Sequence, residues 1–431
     1  MTPETLAVLR ISVCAVALMS VKVHNSPHFG GLPAHLRVAP WGVGWLLPHL
    51  PEWLFGTGEA RGAWVVCVVA CSVALAGWKT RAASIVAAIA GLYVLGLPQL
   101  YGVVIHDHHI LWFQALLAAS PSGDAFSLDA WLRARRGVRP APAVAYAIPV
   151  RAAWLLIGLI YFFPGWWKWR ASGLAWALSD NLAHQMHWKW LQYGGWRPIV
   201  RLDHAPLLCH AAALAVMCFE VAFVFLVAVR RARPFLALSA VLFHVATDLL
   251  MRIRFTSLFA CYAVLLDWTP RAPREGAVPL NRRAWPAAMV AAILITGVAW
   301  AGFAGTTSGW PFACYPTFHR IAGAEMPGLV VEIDDARGGT RTLDDSPLVA
   351  RIGSQRHWGL QWSLAMDPAR ERRRAALADY LRALGGARPD DLEARFFREW
   401  RSVDPDAPRS PPRRELLERL PLGGREPQHQ R

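Results

Sequence analysis

One lysine, Lys168, sits in the run Tyr161-Phe162-Phe163-Pro164-Gly165-Trp166-Trp167-Lys168-Trp169, at the end of an apolar stretch and among three tryptophans. A charge beside hydrocarbon costs about 2.5–3.5 kcal/mol at a helix centre and less near an interface, so an amine there calls for a reason. Two reasons fit. Lysines at helix ends snorkel to the headgroups while tryptophans form the interfacial belt. Alternatively the amine does chemistry: a lysine that gives up its proton is a general base, and apolar surroundings from Trp166, Trp167 and Trp169 suit that state.

Three other places offer ionisable groups. His106, Asp107, His108 and His109 stand together between two apolar runs. Such a cluster is either a solvated loop or a metal site, the latter only if a further ligand arrives from elsewhere. His244, Asp248 and Arg252 recur at i,i+4 and so share one helix face, as a structural pair or as part of a site. Glu220 lies within an apolar run, nearer its inner end; it reads as a helix-packing contact, although carboxylates at membrane depth are functional candidates. The cysteines are read as small core residues. Cys67 and Cys71 share a helix face without a nearby His or acidic partner, and no metal is expected.

The elements that carry these residues follow from composition. The chain is 55% hydrophobic and 17% charged, against about 25% charged in an ordinary soluble domain. Apolar runs fall at 5–21, 62–78, 83–98, 103–119, 150–167, 207–229, 234–251, 255–268 and 285–303, most near the length of a spanning helix. The expected fold is an all-α polytopic membrane protein of eight or nine spans, and the run holding Arg10 reads as its first helix, not as a cleaved signal. Every second loop is basic: Lys79 and Arg81; Arg133, Arg135, Arg136 and Arg139; Arg230, Arg231 and Arg233; Arg271, Arg274, Arg282 and Arg283. The positive-inside rule then puts the amino terminus inside, everything after residue 303 outside, and both Lys168 and the His106–His109 cluster at the outer face. The net charge of +15 is read as topology plus a basic tail, with no nucleic-acid partner. With no organellar address, the expected location is a bacterial cytoplasmic membrane.

Past residue 303 the character changes. Gly328 to Leu343 alternates around Arg337-Gly338-Gly339, the pattern of a hairpin, and Asp367-Pro368 opens a charged helix running to Gly385. The expected organisation is a transmembrane domain over 1–303, a small extracytoplasmic α+β appendage over 304–403, and a disordered tail over 404–431, rich in Pro, Arg and Glu.

The stretch from His108 to Lys168 resembles the HTTM domain, the transmembrane core of the vitamin K-dependent gamma-carboxylase family. The resemblance rests on a His-containing apolar segment, on Phe126-Ser127-Leu128-Asp129 leading into Leu132-Arg133-Ala134-Arg135-Arg136, and on Tyr161-Phe162-Phe163-Pro164-Gly165 ahead of the lysine. It extends back to Leu9-Arg10 and forward through Phe243-His244 to Phe255–Phe259. The resemblance implies an enzyme in which a lysine deprotonates a vitamin K hydroquinone-like reduced naphthoquinone, oxygen adds, and the strong base so formed prepares a glutamate for carboxylation by carbon dioxide. It assigns Lys168 as the base and His108 and His244 as catalytic histidines; Tyr161, Trp166 and Trp167, beside the lysine, are expected to bind the cofactor. It implies membrane lipid, a membrane quinone and an extracytoplasmic protein or peptide as partners. The family's eukaryotic carboxylases have two adjacent lysines where this chain has Trp167-Lys168, and a large lumenal domain where this chain has a short segment. Quinol oxygenation or epoxidation needs only the membrane site. The alternative is a non-catalytic membrane protein acting through protein partners in export, immunity or scaffolding.

Overall fold

The computed structural model of the chain describes residues 2–38, 40–42, 44–105, 107–138, 144–268, 282–313, 318–407 and 411–422. His106, Arg139, Arg271, Arg274, Cys314 and Tyr315 to Thr317 lie outside these residues, as does the tail from 423 onward.

Six helices are long and apolar enough to cross a membrane: Thr57–Ala76, Thr80–Leu100, Val144–Ser172, Pro206–Leu226, Arg233–Met251 and Trp285–Phe303. Besides the single turns Val21–His24 and Ala175–Leu178, the helices of the bundle are in chain order α1 (Pro3–Met19), α2 (Thr57–Ala76), α3 (Thr80–Gly96), α4 (His108–Ala118), α5 (Leu128–Arg135), α6 (Val144–Ser172), α7 (Asn181–Gln192), α8 (Pro206–Leu226), α9 (Arg233–Met251), α10 (Thr256–Phe259) and α11 (Trp285–Phe303). Proline stands in the first turn of α1, α8, α9 and α11, where its missing N–H costs nothing. Gly77, at φ 73, closes α2 in the left-handed conformation. The outward faces of α2, α3, α8, α9 and α11 expose Val65, Val69, Ile89, Leu207, Phe225, Phe235, Leu242, Met289 and Ile293, a surface suited to hydrocarbon and not to water.

Three of the nine expected spans fall short. The run 103–119 yields only the 11-residue α4, and 255–268 yields α10 followed by a 3₁₀ turn, Ala260–Leu265. At 17 residues, α1 is close to a span but carries Arg10 in its middle. The polar residues Asp107, His108 and His109 are buried at the start of α4, which sits inside the bundle and not against lipid. Arg10 is likewise internal: its guanidinium donates to the carbonyls of Ser122 at 2.7 Å, Ala125 at 3.3 Å and Phe126 at 2.5 Å. It ties α1 to the turn after α4, capping carbonyls that no helix satisfies. At the same end Asp129 accepts from the backbone N–H groups of Lys79 at 3.0 Å and Thr80 at 2.8 Å, joining the α2–α3 turn to α5.

The opposite end carries the appendage. Its antiparallel sheet has the order β2-β1-β3-β4, with β1 Glu325–Asp335, β2 Thr340–Thr342, β3 Asp391–Ser402 and β4 Arg413–Pro421. The hairpin turns at Gly338, φ 79, as its spacing implies. The charged helix α14 (Arg370–Leu384) starts beside Asp367, which accepts from Ala369 N–H at 2.9 Å, and ends at Gly385. Before it come α12 (Ser346–Ile352) and α13 (Ser354–Met366). The expected disordered tail is corrected in part: β4 lies within it. A strand at a sheet edge needs backbone partners more than an apolar sequence, and the ion pairs Arg414–Glu399 at 2.6 Å, Arg398–Glu415 at 3.3 Å and Arg419–Glu393 at 3.3 Å bind it to β3. The appendage does not stand apart. Leu329, Ile333, Leu360, Leu377 and Phe396 share one apolar core with Phe29, Leu36, Phe55, Leu97 and Tyr101 of the bundle's connecting segments. The buried Arg356 reaches into the bundle and donates to the carbonyls of Pro98 and Val103.

Candidate functional site

Lys168 lies one turn before the end of α6, and Tyr161, Gly165 and Lys168 share a helix face at i, i+4 and i+7. That face meets α8. A Cβ at Gly165 would stand 2.7 Å from the Cβ of Glu220, and one at Gly158 would stand 3.0 Å from the Cα of Val224, so the two glycines let the helices approach closely and in antiparallel register. Side chains tilt toward the amino end of their own helix, which in antiparallel neighbours carries Lys168 and Glu220 toward each other. The result is an ion pair: Lys168 Nζ donates to both oxygens of Glu220 at 2.6 Å. The two side chains are 5% and 6% exposed, so the pair is held inside the protein. Glu220, read from sequence as a packing contact toward the inner end, is the partner of the lysine.

The surroundings of Lys168 also differ from expectation. Trp166 is exposed and packs against Phe162, Trp169 faces outward, and Trp167 donates to the Gly302 carbonyl of α11 at 2.8 Å. None of the three lines the space around the amine. The aromatic groups that do are Trp176, whose ring lies 4.9 Å from Nζ, with Tyr161, Phe243, Phe255 and Phe318. They wall a cavity of about 130 Å³ that opens on Lys168, Glu220 and His244. A water needs roughly 10–15 Å³ on that measure, so the space takes a ring-sized group and not merely one solvent molecule.

His244 of α9 forms the other polar patch. Its Nε2 lies 2.9 Å from the hydroxyls of both Tyr161 and Tyr262, and those hydroxyls are 2.5 Å apart. The rings of Phe243, Phe255 and Phe259 close around it. The expected His244–Asp248–Arg252 face does not act as one group. The helix ends at Arg252 in a left-handed turn, φ 52, so Arg254 folds back to Asp248 at 3.3 Å, and Arg252 lies over the Trp196 ring at 4.3 Å.

His108 is brought elsewhere. Its Nε2 lies 3.0 Å from the Gly309 carbonyl, its ring packs on Trp310 at 4.8 Å, and it does not line the Lys168 cavity. Asp107 is not solvated: it pairs with Lys22 at 2.7 Å and accepts from Ser257 Oγ at 2.8 Å, fixing the head of α4 between the short helix Val21–His24 and α10. Among the described residues the one set of three potential metal ligands is Asp203, His204 and Asp406. It lies on the surface, where Arg197 and Arg201 already pair with Asp406.

Glu220 and Lys168 were each visible in sequence but not their pairing; Tyr262 and Trp176 carried no signal. The usable clue was Gly158 and Gly165, seven residues apart on one helix face, which mark a close crossing and so point to whatever charge lies on the crossing helix.

A bundle of apolar helices around a buried lysine–carboxylate pair defines a multi-pass membrane protein with an intramembrane polar site. The chain belongs to the HTTM domain family, whose model matches residues 42–270 and so encloses Lys168, Glu220 and His244. No curated protein and no solved structure matches the chain.

Proposed function

We propose that this protein is an enzyme of the cytoplasmic membrane, its amino terminus inside and its appendage outside, acting on a membrane quinol with oxygen. The observation that carries the reading is a lysine amine and its carboxylate opening together onto an aromatic-walled cavity within apolar helices. The donor set fits a reduced naphthoquinone: flat aromatic walls suit the ring, and the polar groups suit its hydroxyls. When bound, such a quinol would supply an ionisable hydroxyl and the reducing equivalents for oxygen.

The chain's own residues then have distinct tasks. Lys168 Nζ first hands a proton to Glu220, 2.6 Å away, and the neutral amine then takes the hydroxyl proton, so the pair passes from ammonium and carboxylate to ammonium and neutral carboxyl. Tyr161 and His244 provide the hydrogen bonds that orient a second oxygen, with the Tyr262 hydroxyl bonded to both and holding them in place. Trp176, Phe243, Phe255 and Phe318 exclude water, which strengthens each of these contacts. In this reading His108 holds the Gly309–Trp310 segment against α4 and acts at a distance from the cavity. Coupling to carboxylation of an extracytoplasmic glutamyl substrate is the further step that the family resemblance implies.

The test is photolabelling with an azido-naphthoquinone in nanodiscs, followed by peptide mapping. Label on the Tyr161–Lys168 or Phe243–Phe255 segments, displaced by unlabelled naphthoquinone, is expected; label scattered over the lipid face would overturn the reading. One observation favours the non-catalytic alternative: Lys168 and Glu220 satisfy each other fully, as a purely structural pair would. A stoichiometric co-purifying protein with no quinone labelling would support that alternative.

A further inference from the structure

A second cavity, of about 310 Å³, adjoins the first at the appendage end and shares Ile253, Phe255 and Phe318 with it. Its character is the reverse. Lys22, Lys189, Arg252 and Arg254 all line it, and no carboxylate among the described residues does. Two of the four cations are already matched, Lys22 by the buried Asp107 and Arg254 by Asp248. Lys189 and Arg252 are in no salt bridge among the described residues. Lys189 is buried, donates to Gln192 Oε1 at 2.9 Å, and lies 5.4 Å from the Phe318 ring. Burying an amine without a counter-charge is costly, and four cations around one space repel each other. The bias that concentrates basic residues at the opposite end of the bundle, around Lys79, Arg133 and Arg230, gives no reason for cations here.

We propose that this vestibule binds the phosphate of an anionic phospholipid. Arginine and lysine side chains around a concave space are the chemistry that recognises a phosphate group, with Arg252 and Arg254 able to present forked donors and Lys22 and Lys189 compact charges. The lipid source is favoured over free phosphate because the same wall turns apolar at Ile253, Phe255 and Phe318, giving an acyl chain a path that a soluble anion does not use. The inference is independent of any quinol turnover.

The experiment is a titration of the purified full-length protein in neutral detergent with dihexanoyl phosphatidylglycerol, dihexanoyl phosphatidylcholine and inorganic phosphate. Phosphatidylglycerol is expected to bind with saturation and to weaken with added salt, with little binding of either comparator. Lys189→Met combined with Arg252→Gln should weaken phosphatidylglycerol roughly tenfold or more, the scale of one charge-assisted hydrogen bond. A melting curve of that variant matching the unsubstituted protein would show that the fold is intact; if it does not fold, Arg254→Gln, whose partner Asp248 is exposed, serves in its place. Equal binding of phosphatidylcholine, equal binding of inorganic phosphate, or undiminished binding by a folded variant would each overturn the proposal.

Discussion

Replacing Lys168 alone should cost far more than replacing Lys168 and Glu220 together. In Lys168→Met the Glu220 carboxylate keeps its place in an interior 6% exposed but loses the donor 2.6 Å from both of its oxygens. Removing one partner of a buried ion pair costs roughly 3–5 kcal/mol. Protonation of the stranded carboxyl limits the loss toward the cost of an unpaired buried polar group, about 1–3 kcal/mol. A loss of about 3 kcal/mol is therefore expected, and a similar one for Glu220→Leu, which strands the ammonium. The double variant removes both charges and replaces them with apolar volume, which is neutral to stabilising in comparable cases. The assay is equilibrium unfolding in mixed micelles followed by circular dichroism for all four members of the cycle. The double variant should be more stable than either single one. If it instead loses the sum of the two single losses, the side chains do not interact and the geometry of the site is wrong.

Gly165→Ala should destabilise by roughly 1–3 kcal/mol, since the new Cβ meets the Glu220 Cβ at 2.7 Å and forces α6 from α8. Gly62→Ala in α2, with nothing within 4 Å, should be neutral or stabilising, and thermal melts of the two variants make the comparison. Arg10→Met should cost roughly 3 kcal/mol by leaving the carbonyls of Ser122, Ala125 and Phe126 without their donor, read as faster proteolysis at residues 120–127. Phosphatidylglycerol binding should weaken as pH rises from 7 to 9. Burial pushes the Lys189 amine down to about 8, so its charge is present below that value and lost above it. Lys22, Tyr193, Arg252 and Arg254 face it across the vestibule. A flat profile over that window would show that the amine takes no part.

The membrane class, the long helices and the family were legible because each rests on local pattern: apolar runs of span length, basic loops in alternation, and the Tyr161–Lys168 motif. The short α4 was not, since counting hydropathy over 103–119 cannot distinguish a segment facing lipid from one buried among other helices with its polar head satisfied by Lys22 and Ser257. Lys168 was conspicuous because a charge at that depth is costly. Glu220 was seen but set apart from it because depth was counted by residue number along each run. Tilt of both side chains toward their helix starts, and the glycine crossing, close that separation across 52 positions of sequence. The desolvating groups were misassigned for a related reason: Trp166, Trp167 and Trp169 are neighbours in sequence, whereas Trp176 and Phe318 become neighbours only by folding. Strand β4 escaped notice because its attachment is by backbone and ion pairs, neither of which raises hydropathy.

Oxygen-dependent oxidation of a reduced naphthoquinone by the protein in nanodiscs, compared between the unsubstituted chain and Lys168→Met/Glu220→Leu, tests the central claim most directly. The double variant is chosen because its fold is expected to survive, so lost turnover cannot be lost structure. The account predicts quinol oxidation in the unsubstituted protein and none above background in the folded variant; equal turnover in both would contradict it.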